Sequence, residues 1–267
     1  MSTVTLNGIT IGYDDTGTGD NTLLLVHGHP FDRSMWQPQC EAMSRHGWRV
    51  IVPDLRGYGE TTVVPGKTTL DVFARDLAAL LDHLGIARVA IGGLSMGGQI
   101  VMEFCRLFPD RVRGVVLAAT FPRAETDEGK QVRNATADRL LKEGMAVYAE
   151  ELLPKMVAAR TIAEQPAVAA HVMRMMRQAP PKGSAAALRG RAERPPYEDT
   201  LAALSVPGLV VVGNEDAFTT RADADGMHAL IRHSTLVWME GIGHMPNLEA
   251  EAAFNDALAQ FLDRVVG

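Results

Sequence analysis

The 267-residue chain is predicted to be an α/β protein with a mostly parallel central sheet that carries helices on both faces. Two observations lead to this prediction. Short runs rich in Val, Leu and Ile recur along the chain, and amphipathic segments of helical length separate them. The runs are apolar at nearly every position, which is typical of strands buried on both faces, as in parallel sheets.

The predicted elements follow in order along the chain. Residues 4–13 alternate apolar and polar side chains around Asn7-Gly8, which predicts an antiparallel hairpin at an edge of the sheet. Apolar runs then predict six strands, at 22–26, 49–53, 88–92, 112–118, 209–213 and 235–238. Amphipathic segments predict helices at 70–84, 99–108, 221–231 and 251–265.

The segment 122–205 has no strand-like run and consists of helix formers interrupted by prolines. It is predicted to be a helical cap inserted between two strands, so that residues 1–121 and 206–267 form the core. The cap would cover the carboxyl edge of the sheet, where ligands bind in open α/β folds.

Composition excludes several classes of function. A net charge of −6 and a pI near 5.8 argue against a nucleic-acid partner. The basic cluster Arg189, Arg191 and Arg194 is interrupted by Glu193 and is interpreted as solvated surface. Two cysteines, Cys40 and Cys105, cannot form a disulfide framework. With no secretory signal and no apolar run of membrane-spanning length, the protein is expected to be cytoplasmic, away from membranes, as a monomer or homodimer.

Ser95 is the most informative residue. It lies in Gly93-Leu94-Ser95-Met96-Gly97, between the apolar run that ends near residue 92 and the helical pattern that follows. A serine with glycine two residues away on either side, between a strand and a helix, is the pattern of a nucleophile elbow. The sequence therefore predicts a hydrolase with Ser95 as its nucleophile.

A serine hydroxyl needs a base and an orienting carboxylate, which follow the serine in chain order in this architecture. Strand 209–213 runs into Asn214-Glu215-Asp216, and strand 235–238 runs into a loop that contains His244. Asp216 is the preferred acid and Glu215 its rival. His244 is the predicted base, because it lies in a glycine-flanked loop at the end of a strand. Five other histidines lie in helical or loop contexts away from the strand ends: His46, His83, His171, His228 and His233.

The loop His27-Gly28-His29-Pro30 follows the strand 22–26. In this architecture such a loop supplies one N–H of an oxyanion hole, and the residue after the nucleophile supplies the other. The predicted donors are the amides of His29 and Met96, and the His29 side chain is expected to face the pocket. Phe31 and Phe121 are the predicted substrate-pocket residues.

Together these segments resemble α/β-hydrolase fold enzymes over nearly the whole chain. Two further runs carry the same resemblance: Asp54-Leu55-Arg56-Gly57-Tyr58-Gly59-Glu60 and Gly243-His244-Met245-Pro246-Asn247-Leu248-Glu249. The last of these runs resembles 3-oxoadipate enol-lactonases and small carboxylesterases. A serine at the elbow disfavours the related epoxide hydrolases and dehalogenases, whose nucleophile is an aspartate. The histidine at position 29 departs from the apolar or aromatic residue expected among esterases.

The resemblance implies the α/β-hydrolase fold and hydrolysis of a small-molecule ester through an acyl-enzyme, with neither cofactor nor metal. A lactone substrate is the alternative, and a carboxylated lactone would need a cationic pocket residue, from His29 or a cap arginine. Perhydrolase activity is a further alternative. A ligand receptor that turns over slowly on the same fold is the competing class.

Overall fold

The computed structural model describes residues 2–266, which form one eight-stranded sheet with helices on both faces. The strands are β1 (Ser2–Leu6), β2 (Ile9–Thr16), β3 (Thr22–Val26), β4 (Arg49–Pro53), β5 (Val89–Leu94), β6 (Val112–Ala118), β7 (Gly208–Gly213) and β8 (Ser234–Met239). Their order in the sheet is β1-β2-β4-β3-β5-β6-β7-β8. The predicted α/β class with a mostly parallel sheet is confirmed.

The hairpin of β1 and β2 is antiparallel, and β2 also runs antiparallel to β4. Asn7 and Gly8 both have positive φ, 50° and 75°, as a two-residue hairpin turn of type I′ requires. All the other neighbouring strands are parallel. The carboxyl ends of β3, β5, β6, β7 and β8 therefore meet at one edge of the sheet.

Six helices pack around this sheet in the core: α1 (Gln37–Arg45), α2 (Leu70–His83), α3 (Met96–Leu107), α10 (Arg221–Leu230), α11 (Pro246–Glu249) and α12 (Glu251–Val266). The strand expected at 88–92 extends to Leu94, and the helix expected from Gln99 begins at Met96. Both elements thus run up to Ser95, and the turn between them is a single residue. No helix within residues 2–266 combines the length and apolar character needed to cross a bilayer.

Between β6 and β7 the described chain contains helices and no strand. These helices are α4 (Asp127–Glu143), α5 (Ala146–Met156), α6 (Ala159–Glu164), α7 (Pro166–Gln178), α8 (Pro181–Arg191) and α9 (Glu198–Ala202). Prolines begin α7 and α8, where a missing N–H costs nothing. This segment is called the cap below.

Two apolar layers hold the sheet in place. One lies on the face covered by α2 and α3, and the other lies on the face covered by α1 and α12. Strands β3 and β7 are buried at every position, as their continuous apolar sequence predicts. The sheet edge that carries the candidate site therefore has a rigid base.

Candidate active site

Ser95 forms the turn between β5 and α3 and has the strained backbone angles φ 57° and ψ −117°. A non-glycine residue keeps such angles only where its surroundings fix them. Here the Ser95 amide donates to Ala118 O at 3.0 Å, and the Thr120 hydroxyl donates to Ser95 O at 2.8 Å. A Cβ at Gly97 would lie 2.2 Å from Val26 O, so only glycine lets α3 pack this close to β3.

His244 and Asp216 are in direct contact, although 28 residues separate them in the chain. Both carboxylate oxygens of Asp216 lie 2.9 Å from His244 Nδ1. The two side chains are almost fully shielded from solvent, at 1% and 0% exposure. This contact assigns the proton of a neutral His244 ring to Nδ1, which leaves Nε2 free to accept a proton.

Asp216 is held as a carboxylate by its surroundings. Burial opposes ionisation, but the charge and hydrogen bond of His244 outweigh it, and the amides of Phe218 and Thr219 also donate to Asp216 Oδ1. Together these groups lower the pKa of Asp216 below its ordinary value. The rival acid, Glu215, is exposed to solvent.

Ser95 and His244 line the same cavity. Among the hydrogen bonds of residues 2–266, none joins the Ser95 hydroxyl to the His244 ring, so the structure brings histidine and carboxylate together and leaves the serine beside them. Without substrate, such contacts are often long and close only in the reacting complex. Phe218 packs edge-on against His244, with ring centroids 4.8 Å apart, and restricts the imidazole to this cavity.

The loop after β3 packs directly against the elbow. A Cβ at Gly28 would lie 2.9 Å from Leu94 O and 3.3 Å from Ser95 Cβ. His27 anchors the loop, because its Nδ1 contacts Gly28 O and its Nε2 accepts from the Leu55 amide, both at 2.9 Å. The His29 amide is therefore held beside Ser95. The other predicted donor, Met96, is the first residue of α3, where an N–H has no acceptor within the helix.

The His29 side chain faces the cavity and joins the core to the cap. Its Nδ1 lies 2.7 Å from the Tyr58 hydroxyl, and its Nε2 lies 3.3 Å from the hydroxyl of Tyr148 on α5. Burial lowers the pKa of His29 well below its ordinary value, and the nearby charges of Arg191 and Arg133 lower it further. His29 is therefore neutral at physiological pH.

Glu249 is a site residue whose structural role the sequence does not reveal. Its Oε2 accepts from the Ala158 amide at 2.8 Å, the Thr161 hydroxyl at 2.7 Å and the Gly243 amide at 3.2 Å. Its Oε1 accepts from the Met245 amide at 2.9 Å. One buried carboxylate thus fixes the residues on both sides of His244 and ties them to the cap.

The cavity has a volume of about 310 Å³ and lies between core and cap. The core contributes His29, Ser95, Phe121, Ala217, Phe218 and His244. The cap contributes Arg133, Tyr148, Leu152, Met156, Leu188 and Arg191. Phe121, a predicted substrate-pocket residue, lines this cavity.

The prediction for Phe31 is wrong. Phe31 is buried in the apolar layer with Met35 and Trp36, and it borders a different cavity of about 690 Å³. That larger cavity has many acidic side chains and none of the candidate reactive groups. The Phe31 amide donates to Gly28 O at 3.1 Å, which closes a turn in this loop.

The interpretation of the basic cluster as solvated surface is also wrong. Arg191 and Arg194 are buried, at 9% and 4% exposure, and only Arg189 stays partly exposed. Helix α8 is built from small residues between Gly183 and Ala187, all of them buried. The helix packs against the rest of the molecule along this run, and Arg191 at its end is buried with it.

Arg194 and Arg133 share the carboxylate of Glu125, and Arg191 lies near them without binding it. Arg194 Nη1 lies 2.8 Å from Glu125 Oε2, and Arg133 Nε also pairs with that oxygen. Burial opposes ionisation of Glu125, but these two cations hold its pKa at about 2. Burial and the charges of Arg133 and Arg194 lower the pKa of Arg191 well below its ordinary value. Arginine nevertheless keeps its proton at neutral pH in proteins, so the cavity wall is cationic.

The sheet topology and the elbow at Ser95 define a hydrolase of the α/β class. The family model for the alpha/beta hydrolase fold matches residues 21–251, and the chain belongs to this family.

Known proteins match along nearly the whole chain. The 3-oxoadipate enol-lactonase 2 of Acinetobacter baylyi (strain ATCC 33305 / BD413 / ADP1) is 29% identical over 263 residues, covering 98% of this chain and 96% of its own. A thermophilic esterase from Thermogutta terrifontis, solved with malate bound, is 41% identical with a TM-score of 0.94, covering 98% of this chain and 97% of its own. The enol-lactonase from Burkholderia xenovorans LB400 is 27% identical with a TM-score of 0.91, covering 98% and 100%.

Proposed function

We propose that this protein hydrolyses small carboxylic esters through an acyl-enzyme, with Ser95 as nucleophile, His244 as general base and acid, and Asp216 as the orienting carboxylate. The observation that carries the proposal is the contact of both Asp216 oxygens with His244 Nδ1, in the cavity that Ser95 lines. The similarity to an esterase at 41% identity supports the same reaction class.

In the first half of the reaction, Ser95 Oγ attacks the ester carbonyl while His244 Nε2 takes the hydroxyl proton. The negative charge on the carbonyl oxygen is stabilised by the His29 and Met96 amides. The bond from the carbonyl carbon to the alkoxy oxygen then breaks, and the imidazolium returns its proton to the departing alcohol. Asp216 stabilises the charged ring and keeps the proton on Nδ1.

In the second half, His244 takes a proton from water, and the hydroxide attacks the acyl group on Ser95. The carbon–Oγ bond breaks, the imidazolium proton returns to Ser95, and the carboxylic acid leaves. Ester and water are consumed, and alcohol and acid are formed.

A lactone is the second candidate substrate, because enol-lactonases match along nearly the whole chain. The same steps open the ring, and the departing alcohol stays attached to the acid. Initial rates with ethyl esters and with γ-lactones of the same carbon count separate the two. A ring preference of tenfold or more in kcat/KM would assign lactone hydrolysis as the main activity.

Replacing Ser95 by alanine tests the reaction class. Removing the nucleophile of a triad costs about 10⁴-fold or more in kcat, so Ser95→Ala is expected to abolish turnover of short p-nitrophenyl esters. The circular dichroism spectrum is expected to stay unchanged. Ser44→Ala, on the outer helix α1, is the matched control and is expected to keep full activity. Retention of most activity by Ser95→Ala would overturn the proposal.

A further inference from the structure

Arg191 is a buried cation that has no salt-bridge partner of its own among residues 2–266. Its Nε donates to Gln99 Oε1 at 2.7 Å, and no Asp or Glu in residues 2–266 forms a salt bridge with it. The one nearby carboxylate, Glu125, is already shared by Arg133 and Arg194. Three guanidinium groups and a single carboxylate leave this part of the cap with an excess of positive charge.

Other shielded arginines among residues 2–266 do have carboxylate partners. Arg33 contacts the carboxylates of Asp14, Asp54 and Glu60, and Arg56 binds both oxygens of Asp76. An unpaired buried charge is strongly unfavourable, so buried charges are normally paired. Arg191 is the exception, and it lies in the wall of the cavity that contains Ser95.

The position of Arg191 relative to the nucleophile is fixed by α3. Gln99, one helical turn after Ser95, accepts from Arg191 Nε and so leaves the two terminal nitrogens of the guanidinium without a described acceptor. Gln99 is completely buried, and its own Nε2 has no hydrogen-bond partner among residues 2–266. Arg191 on α8 and Gln99 on α3 thus both carry N–H donors without a described partner. These donors lie in the region of excess positive charge beside Ser95.

An arginine whose terminal nitrogens are free presents a planar pair of N–H groups, which matches a carboxylate. The remaining cap residues of the cavity wall include the apolar Leu152, Met156 and Leu188. At about 310 Å³ the cavity is at the small end of ligand pockets. A short carbon chain with a carboxylate at its far end suits this combination of volume, apolar wall and charge.

We propose that Arg191, assisted by Arg133, is a carboxylate subsite, and that the substrate is a short ester or lactone that carries a second, ionised carboxyl group. This inference rests on the proposed function and names its substrate class. Arg191 binds the distant carboxylate while the ester carbonyl lies at Ser95. Arg191 is thus a specificity-determining residue.

Two esters that differ by one charge test the subsite. Monoethyl succinate carries a free carboxylate, and diethyl succinate replaces it with a second neutral ester of similar shape. The native chain is expected to have a kcat/KM about 10- to 100-fold higher for the monoester, the effect of a charged hydrogen-bonded pair, mostly through KM. Arg191→Gln is expected to remove this preference, chiefly by raising KM for the monoester.

Arg189→Gln is the matched control, since Arg189 lies on the same helix and its guanidinium binds Asp138 outside the cavity. It is expected to keep the preference. Arg133→Gln is the second variant, for the case that Arg191→Gln does not fold, and it is expected to reduce the preference without removing it. Equal turnover of the two esters by the native chain, or an unchanged preference in both cavity variants, would overturn the subsite.

The proposed function can fail separately. If the native chain hydrolyses neither ester nor a carboxylated γ-lactone, the ester hydrolase proposal fails, and binding then tests the subsite alone. Succinate is expected to raise the melting temperature of Ser95→Ala protein and to have no effect on the Ser95→Ala/Arg191→Gln double variant. Absence of any succinate-dependent rise in Ser95→Ala would overturn the subsite as well.

Discussion

The two walls of the cavity are built in different ways. On the core side, Ser95, Asp216 and His244 each follow the carboxyl end of a parallel strand, and backbone amides hold the loops that carry them. On the cap side, Arg191 and Tyr148 project from helices, and the contacts that position them run from side chain to side chain. The strands fix one wall, whereas the other depends on how whole helices pack.

This difference separates two tasks. Catalytic groups have to meet within a fraction of an ångström, which rigid strand ends with backbone hydrogen bonds can provide. Selection among substrates requires a charge in a particular part of the cavity. A cap helix can supply that charge, and a substitution on the helix can change it without disturbing the catalytic groups. Substitutions in the core wall are therefore expected to lower kcat for all substrates, whereas cap substitutions change the ranking of substrates.

After Ser95→Ala, the largest effect is expected from Asp216→Asn in the core wall. An amide cannot stabilise the charged ring and favours the wrong tautomer of His244, so kcat is expected to fall by about 10³- to 10⁴-fold for every ester. Glu215→Gln is the control, because this neighbouring carboxylate is exposed to solvent. Steady-state kinetics on one neutral and one anionic ester would measure kcat for both variants. Similar losses in the two variants would show that the His244–Asp216 contact is not the source of the effect.

An intermediate effect is expected at Glu249, where the two walls are joined. In Glu249→Gln one acceptor oxygen becomes an NH₂ group that faces amide donors, which is expected to cost about 1–3 kcal/mol in the free energy of unfolding. Because Gly243 and Met245 flank His244, kcat is expected to fall about tenfold as well. Urea denaturation and ester kinetics measure the two quantities. Glu251→Gln, an exposed position in α12, is expected to change neither.

The smallest effect concerns pH and the histidine that contacts both walls. Burial, with Arg191 and Arg133, lowers the pKa of His29 in the folded protein, whereas the unfolded chain takes up this proton near pH 6.5. The unfolded state therefore binds more protons below pH 6.5, and the stabilisation from neutral His29 is complete above that pH and decreases as the pH falls. Burial is also the main cause that lowers the pKa of His27.

His29→Asn, which retains a polar group near Tyr58, is expected to reduce the slope of the unfolding free energy between pH 7 and 5 by at most one proton. The remaining slope is assigned in part to His27. His83→Asn, on the exposed face of α2, serves as control. Denaturation curves at several pH values measure the slope. A slope in His29→Asn equal to that of the native chain would contradict a neutral, buried His29.

The fold and the core wall could be predicted because their signals are local. Six strands follow from short apolar runs, and the dipeptide Asn7-Gly8 predicts the hairpin turn. Ser95 follows from five consecutive residues, while Asp216 and His244 follow from their position just after a strand. The boundaries near Ser95 were less accurate, because the strand and the helix extend through glycines that weaken the pattern of both.

The cap wall gave no comparable signal. Arg189, Arg191 and Arg194 look alike in sequence, and only the packing of α8 decides which of them is buried. Phe31 is predicted to line the substrate pocket, yet the structure buries it in the apolar layer beside a different cavity. The role of Glu249 depends on partners up to 91 residues away in the chain.

The sequence by itself determined that this chain forms a parallel α/β sheet with a nucleophile elbow at Ser95, because strand periodicity and tight-turn stereochemistry act over only a few neighbouring residues. Only the tertiary structure decided which cation faces that serine and which carboxylate ties the cap to the core. Those outcomes depend on the packing of helices against a distant surface, where burial and charge are set by residues that no local pattern brings together.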